Sequence, residues 1–418
     1  MALTIVQNPI KSLKSIGFNR KYPIIIFQII LKLLLRTLAI LLIISLLIYS
    51  QTTIYNFPNT APFTGKKIFN PYQNTFGNTV KANFHAHSKA WAGLTNGHNS
   101  AEELKNSYHK KGYSLAAISN YFAHDTTNNG FQVYEHGINI LKAHCLAINA
   151  KKVSYFDFPI FQNVSHKQQI INQLKNNGAL VALAHPHIRG GHSEADMQEL
   201  VGYNFTEVLN HYVTSDKEWD AALQTGKLSW IMANDDTHDI NNEPSHQIWN
   251  EIYSDNESDI IKNISEGKNY GIKTKSGIKD LAIKYLYVKN DSVYFNFGEN
   301  TRQISIIING QNKLEIKGNK GQIYFAKEYN YIRFVAESAN AELFTNPLIR
   351  YDGEKPILAN NLTAGINQYL TTSERVKYYS FLYIVLIWVN RKSILKLIVR
   401  NRSNNSVLKS PLLRFFNY

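Results

Sequence analysis

The segment Asn83-Phe-His-Ala-His87 sets two imidazoles two residues apart at the end of an apolar run. In an extended chain, residues i and i+2 point to one side, so His85 and His87 are aimed at a common point. Ala184-His185-Pro186 and Asp236-Thr-His238 are distant counterparts, again closing apolar runs. Neutral imidazole is the commonest protein metal ligand, and several histidines with one carboxylate suit zinc, iron or manganese rather than calcium. The chemistry these residues offer is that of a bound divalent cation.

Three units of one pattern carry these residues. Ser100-Ala-Glu-Glu103 is a capping box that opens a helix ending at Gly112, and 114–120 follows as a buried strand. A helix over 166–177, stopped by Gly178, precedes a strand over 179–185. A third helix over 217–225, stopped by Gly226, precedes a strand over 228–235. Alternating helix and apolar strand predicts parallel strands joined by crossovers, with the candidate ligands at strand C-termini, where barrels of this kind place their chemistry.

On these residues the chain resembles the PHP (polymerase and histidinol phosphatase) metallohydrolases over roughly residues 80–273. The family's opening His-x-His is matched by His85 and His87, and its later single histidine by His144 in Lys142-Ala-His-Cys-Leu146. Its Ala-His-Pro is matched at His185, its closing Asp-x-His at Asp236 and His238, and the Gly-Lys before the last strand at Gly226-Lys227. The resemblance implies an α/β fold built on a distorted (β/α)7 barrel, two or three metal ions, and hydrolysis of phosphate or other esters. It also implies that His85, His87, His144, His185, Asp236 and His238 are metal ligands, with Asp236 and His185 closest to the chemistry.

The departures from the family pattern bear on the ion count. Thr95-Asn96-Gly97 stands where the family has Ser-Asp-Gly, Ser119-Asn120-Tyr121 where it has Thr-Asp-His, and Asn139 where it has the acid of Gly-x-Glu. An amide carries no charge and bridges two metals poorly, so the expectation is about one divalent ion per chain and two at most. Glu135, His136, His124 and Asp125 are the nearby candidates to replace the missing ligands. Arg189 and His187, on the loop that runs from His185 to His192, are candidates for substrate contact, since a guanidinium fork matches an oxyanion. His98, His109, His166 and His246 read as structural or solvent-exposed.

The 418 residues carry a net charge of +14, a value that suggests nucleic acid until the charge is located. Residues 1–50 hold six Lys and Arg and no acid, and residues 391–418 hold seven and no acid, which leaves +1 for everything between. No nucleic-acid partner is therefore expected; the partners are a membrane and a small ester or phosphoester. The apolar stretch 23–49 is long enough for a transmembrane helix. With the basic flank before it, the expectation is a cytoplasmic N-terminus, an anchored chain and an exported body; a cleaved signal peptide is the alternative. Residues 378–389 are apolar but short for a span, which leaves an interfacial helix, a second crossing or a helix of the soluble core.

The expected organisation is a basic segment and anchor over 1–50, a linker over 51–79, the barrel over 80–273, a small β-sandwich over 280–352, and an apolar helix with a basic tail over 353–418. The sandwich is read from short β-rich runs divided by turn clusters such as Asn309-Gly310. Cys145 is the sole cysteine, which excludes an intramolecular disulfide. Two functions follow as expectations: a membrane-anchored, metal-dependent hydrolase of a phosphoester or related ester, or a decayed barrel that binds a ligand without turnover.

Overall fold

The structure is a computed structural model that describes residues 21–404, apart from 76 and 126–130. The basic stretches 1–20 and 405–418 lie outside the described residues. The chain divides into two compact units, one of Thr52–Ser373 and one of Met1–Gln51 with Glu374–Tyr418.

Within Thr52–Ser373 the three helix-strand units are present. Helices Ala101–Lys110, Val164–Asn176 and Asp216–Gln224 precede strands Tyr113–Ala116, Leu180–Ala184 and Trp230–Asn234. At the first of these helices, Ser100 Oγ accepts from the Glu103 N–H at 3.2 Å while Glu103 Oε2 accepts from the Ser100 N–H at 2.7 Å. Gly226, which ends the third, has φ +78°, and an added Cβ would collide with the Ala61 carbonyl. Parallel pairing joins Thr79–Asn83 to Tyr113–Ala116, and Leu180–Ala184 to Phe205–Asn210 and on to Trp230–Asn234.

These strands do not close into the expected (β/α)7 barrel. They are distributed over sheets of ten, five, three and two strands. One cause is local: Val133–His136 and His144–Ile148 pair antiparallel, and His144–Ile148 is again antiparallel to Leu180–Ala184. Only residues 137–143 join the first two strands, whereas a parallel crossover needs a dozen residues or more. The other cause is a seam where amide side chains replace the ladder. Asn234 Oδ1 accepts from the Phe84 N–H at 2.8 Å, Asn250 Oδ1 from Ala233 at 3.0 Å and Asn83 Oδ1 from Asp235 at 2.9 Å. Trp230–Asn234 and Thr79–Asn83 thus approach one another without belonging to one sheet.

The separate sandwich is corrected for a related reason. The expected β-rich runs are strands, including Tyr285–Lys289, Ser292–Asn296, Gln303–Ile308 and Tyr331–Glu337. However, Ala341–Thr345 pairs with Asn269–Thr274, which continues through Ile248–Tyr253 to Thr79–Asn83. The later strands therefore extend the same ten-stranded sheet that leads into His85. The three-stranded sheet packs on it through Phe295 and Phe334, whose ring centroids lie 4.8 Å apart.

In the other unit, helix Lys21–Tyr49 contains Ile25–Tyr49, the one helix among the described residues long and apolar enough to cross a membrane. Its 25 residues extend about 37 Å, more than the roughly 30 Å of a hydrocarbon core. It has the length and composition of a membrane anchor or a signal sequence. Helix Gln368–Asn404 exposes Phe381, Tyr383, Ile384 and Trp388, so it is not the core helix that was one reading of this segment.

Candidate metal centre

Beyond Asn83 the strand runs on through His85 and His87, held by bonds rather than by a regular ladder. The Asp236 N–H donates to the His85 carbonyl at 2.9 Å, and the His87 N–H to the Thr237 carbonyl at 2.8 Å. The two imidazoles fall on one side, with their Nε2 atoms 3.2 Å apart. Asp236 lies just past Trp230–Asn234 and His185 just past Leu180–Ala184. Both turn there with positive φ, 51° and 30°, a conformation that costs a residue with a side chain on the order of 1–3 kcal/mol and gathers at functional sites. A buried carboxylate helps hold the turn at His185, whose N–H donates to Glu207 Oε2 at 2.8 Å.

Seven buried side chains converge there: His85, His87, Glu135, His144, His185, Asp236 and His238. Glu135 Oε2 lies 3.0 Å from His87 Nε2 and 3.4 Å from His85 Nε2, and Asp236 Oδ1 lies 3.1 Å from His85 Nε2 and 3.3 Å from His87 Nε2. Yet Glu135 Oε2, Asp236 Oδ1, His144 Nε2 and His238 Nε2 are buried with no hydrogen-bond partner. Leaving so many polar atoms unsatisfied in a core costs roughly 1–3 kcal/mol apiece. Ligands 2.0–2.2 Å from a tetrahedral ion are themselves about 3.4 Å apart, the spacing seen here. The donor set therefore fits a metal ion. Two triads share no residue, His87 with Asp236 and His238, and Glu135 with His144 and His185.

Around this set, Glu207 fixes the orientation of His85. His85 Nδ1 lies 2.9 Å from Glu207 Oε1, which leaves Nε2 facing the cluster, and Glu207 also accepts from Asn234 Nδ2 at 2.8 Å and Asn210 Nδ2 at 3.1 Å. Asp235, the neighbour of Asp236, faces elsewhere. It accepts from the His246, Gln247 and Ile248 N–H groups and from the Tyr108 hydroxyl, and burial still pushes its pKa up to about 6.

Charge in the cluster is unevenly held. Burial opposes a charge on His85, but Asp236, Glu207 and Glu135 outweigh it and hold its pKa well above the usual value; His87 and His185 are raised in the same way. Burial would raise Glu135 and Asp236, but the adjacent histidines hold both below the usual carboxylate range. For His144 and His238 burial dominates, and His238 falls to about 4. The carboxylates stay ionised and draw positive charge to one point.

Of the four candidate replacement ligands, only Glu135 reaches the cluster. His136 is the next residue on the strand and so faces the other way, with Nε2 2.9 Å from the Phe156 carbonyl. Asp125 pairs with Lys105, and His124 packs beside the Tyr134 ring at 5.3 Å. Asn139 is occupied in its own loop, bonding the backbone of Ala143 through both amide atoms. Glu207 was missed by the sequence reading; its one signal is a lone carboxylate in Phe205–Asn210, a strand the structure buries along its whole length.

A cavity of about 580 Å³ opens onto the cluster, walled by Tyr121 and Tyr212 and rimmed by Asn96, Lys142, His187 and Arg189. Tyr121 stacks on His87 with ring centroids 4.6 Å apart. Arg189 donates to the Ile140 carbonyl at 3.3 Å, and His187 Nδ1 lies 2.7 Å from Glu218 Oε1. No family model matches the chain, and no curated protein matches it.

Proposed function

We propose that this protein is a metal-dependent hydrolase of a phosphoester or related ester, a divergent relative of the PHP metallohydrolases, anchored by its N-terminal helix with the body on the exported side. The observation that carries the reading is the set of unpartnered ligand atoms beneath a cavity rimmed by Lys142 and Arg189. His85, His87, Glu135, His144, His185, Asp236 and His238 would hold the metal, with Glu135 shared between the two ends of the cluster. A bound divalent ion supplies Lewis acidity and a water of lowered pKa.

The chain's own groups account for the rest. Asp236 stands where it can take a proton from an attacking water through Oδ1, while Asn210 Nδ2 holds its Oδ2 at 3.2 Å. His185 faces the same cavity as ligand or proton carrier. Lys142 and Arg189 would draw an anionic ester to the mouth, and Tyr121 and Tyr212 would exclude water from its flanks. That two of the possible triads share no residue supports two ions rather than one, a higher count than the lost motif acids led us to expect.

Tyr121 favours a second reading, that of a ligand-binding protein without turnover, because its ring covers a face of His87. The test is metal analysis of the purified chain together with hydrolysis of a generic phosphodiester and a carboxyl ester, set beside His87→Ala. The hydrolase reading expects bound metal and turnover in the parent, and a loss of both in the variant. A parent that turns over neither ester, with or without bound metal, defeats the hydrolase reading and leaves the binding protein.

A further inference from the structure

The unit built from the two ends of the chain has its own chemistry. Residues 1–51 and 374–418 hold fifteen Lys and Arg against a single carboxylate, Glu374, and that one is engaged by Lys377 at 2.7 Å. Helices Lys21–Tyr49 and Gln368–Asn404 meet at Tyr49 and Tyr378, whose ring centroids lie 5.9 Å apart. Arg36 lies thirteen residues before Tyr49 and Arg391 thirteen residues after Tyr378, so each is about 20 Å along its helix from the tyrosine pair. Both line one cleft of about 580 Å³, with Lys32, Trp388 and an apolar wall of Leu35 and Ile43. The Arg391 guanidinium lies over the Trp388 ring at 5.1 Å.

Three cations facing a cleft with no carboxylate repel one another, and the apolar wall beside them offers no compensating charge. An occupant that relieves this carries a negative charge at one end and hydrocarbon at the other. A phosphate diester satisfies the guanidinium forks, and acyl chains cover the leucine and isoleucine wall. We propose that the cleft formed by Lys32, Arg36, Trp388 and Arg391 binds the headgroup of an anionic phospholipid. This rests on the reading of Ile25–Tyr49 as a membrane anchor.

The full chain in detergent, examined by native mass spectrometry with phosphatidylglycerol, phosphatidylcholine or soluble glycerol phosphate, tests it. At about 1 kcal/mol per basic residue near the surface, phosphatidylglycerol is expected to be retained at least about tenfold better than phosphatidylcholine. Arg36→Gln with Arg391→Gln is expected to abolish that preference, and Arg36→Lys with Arg391→Lys to keep most of it. Equal retention of the two lipids by the parent chain overturns the proposal whatever the variants do, as does an undiminished preference in the glutamine variant. Displacement of the lipid by glycerol phosphate at equal concentration overturns it in favour of a free-anion site. Resistance of the chain to carbonate extraction from membranes reads the anchor separately, so its failure is not confused with loss of lipid preference.

Discussion

Glu135 approaches His85, His87, His144 and His185 with its two oxygens, so Glu135→Gln keeps the shape of the cluster while removing one of its two central charges. Glu207→Gln acts one step away, through the orientation of His85. The expected outcome, read by competition with a chromophoric chelator, is a metal affinity lowered about 10–100-fold for Glu207→Gln and by more for Glu135→Gln. His98→Ala should leave it unchanged; a Glu135 variant that binds like the parent would place the ion elsewhere. Because metal ligands must be deprotonated and His85, His87 and His185 are all raised, affinity should fall as the pH is lowered through the neutral range. At this scale the histidines were legible because alternation in an extended strand aims His85 and His87 together. Glu135 was legible only as a substitute, because spacing after Gly137 drew attention to Asn139. Glu207 was not legible, since a lone carboxylate in a strand does not announce which strand it faces.

Helix Asp216–Gln224 is tied to strand Tyr331–Glu337 by a buried ion pair. Arg333 Nε donates to Asp220 Oδ1 at 2.9 Å and Nη2 to Oδ2 at 2.5 Å, and the Tyr331 hydroxyl adds a bond at 2.9 Å. Asp220→Ala strands a buried guanidinium and should lower stability by roughly 3–5 kcal/mol by denaturant unfolding, while Asp220→Leu with Arg333→Met should recover most of it. The start of helix Val164–Asn176 carries a pH-sensitive cap: the Asn163 N–H donates to His166 Nδ1 at 3.2 Å, which requires that nitrogen unprotonated. Burial lowers His166 to about 4, so the unfolded chain binds the proton more readily than the folded one. Stability is therefore lost as pH falls from about 6.5 towards about 4, by up to roughly 3 kcal/mol. The drop in Tm over that window should be smaller in His166→Gln, and equal drops would refute the cap as its source. The three helix-strand units were legible from local signals, a capping box and glycine stops. The antiparallel pair Val133–His136 and His144–Ile148 was not, because fully buried strands carry no period that names their partners.

For the whole molecule, the proposed orientation predicts that protease added to intact spheroplasts digests the region 51–352, and protection of that region would reverse it. The near-neutral middle of the chain and its basic ends were plain in the composition, but the continuity of the ten-stranded sheet was not, because the pairing of Asn269–Thr274 with Ala341–Thr345 is non-local. That sheet also sets an order of events in time. Lys67–Phe69 must wait for Leu348–Tyr351, and Tyr55–Asn56 for Gly365–Ile366, so these early strands have partners made far later in the chain. Every side chain of the cluster precedes residue 239, and all are therefore synthesised long before the sheet beneath them can be completed. Loops that long make folding slow, so the cluster gains its full support only when chain distant from it in sequence has paired.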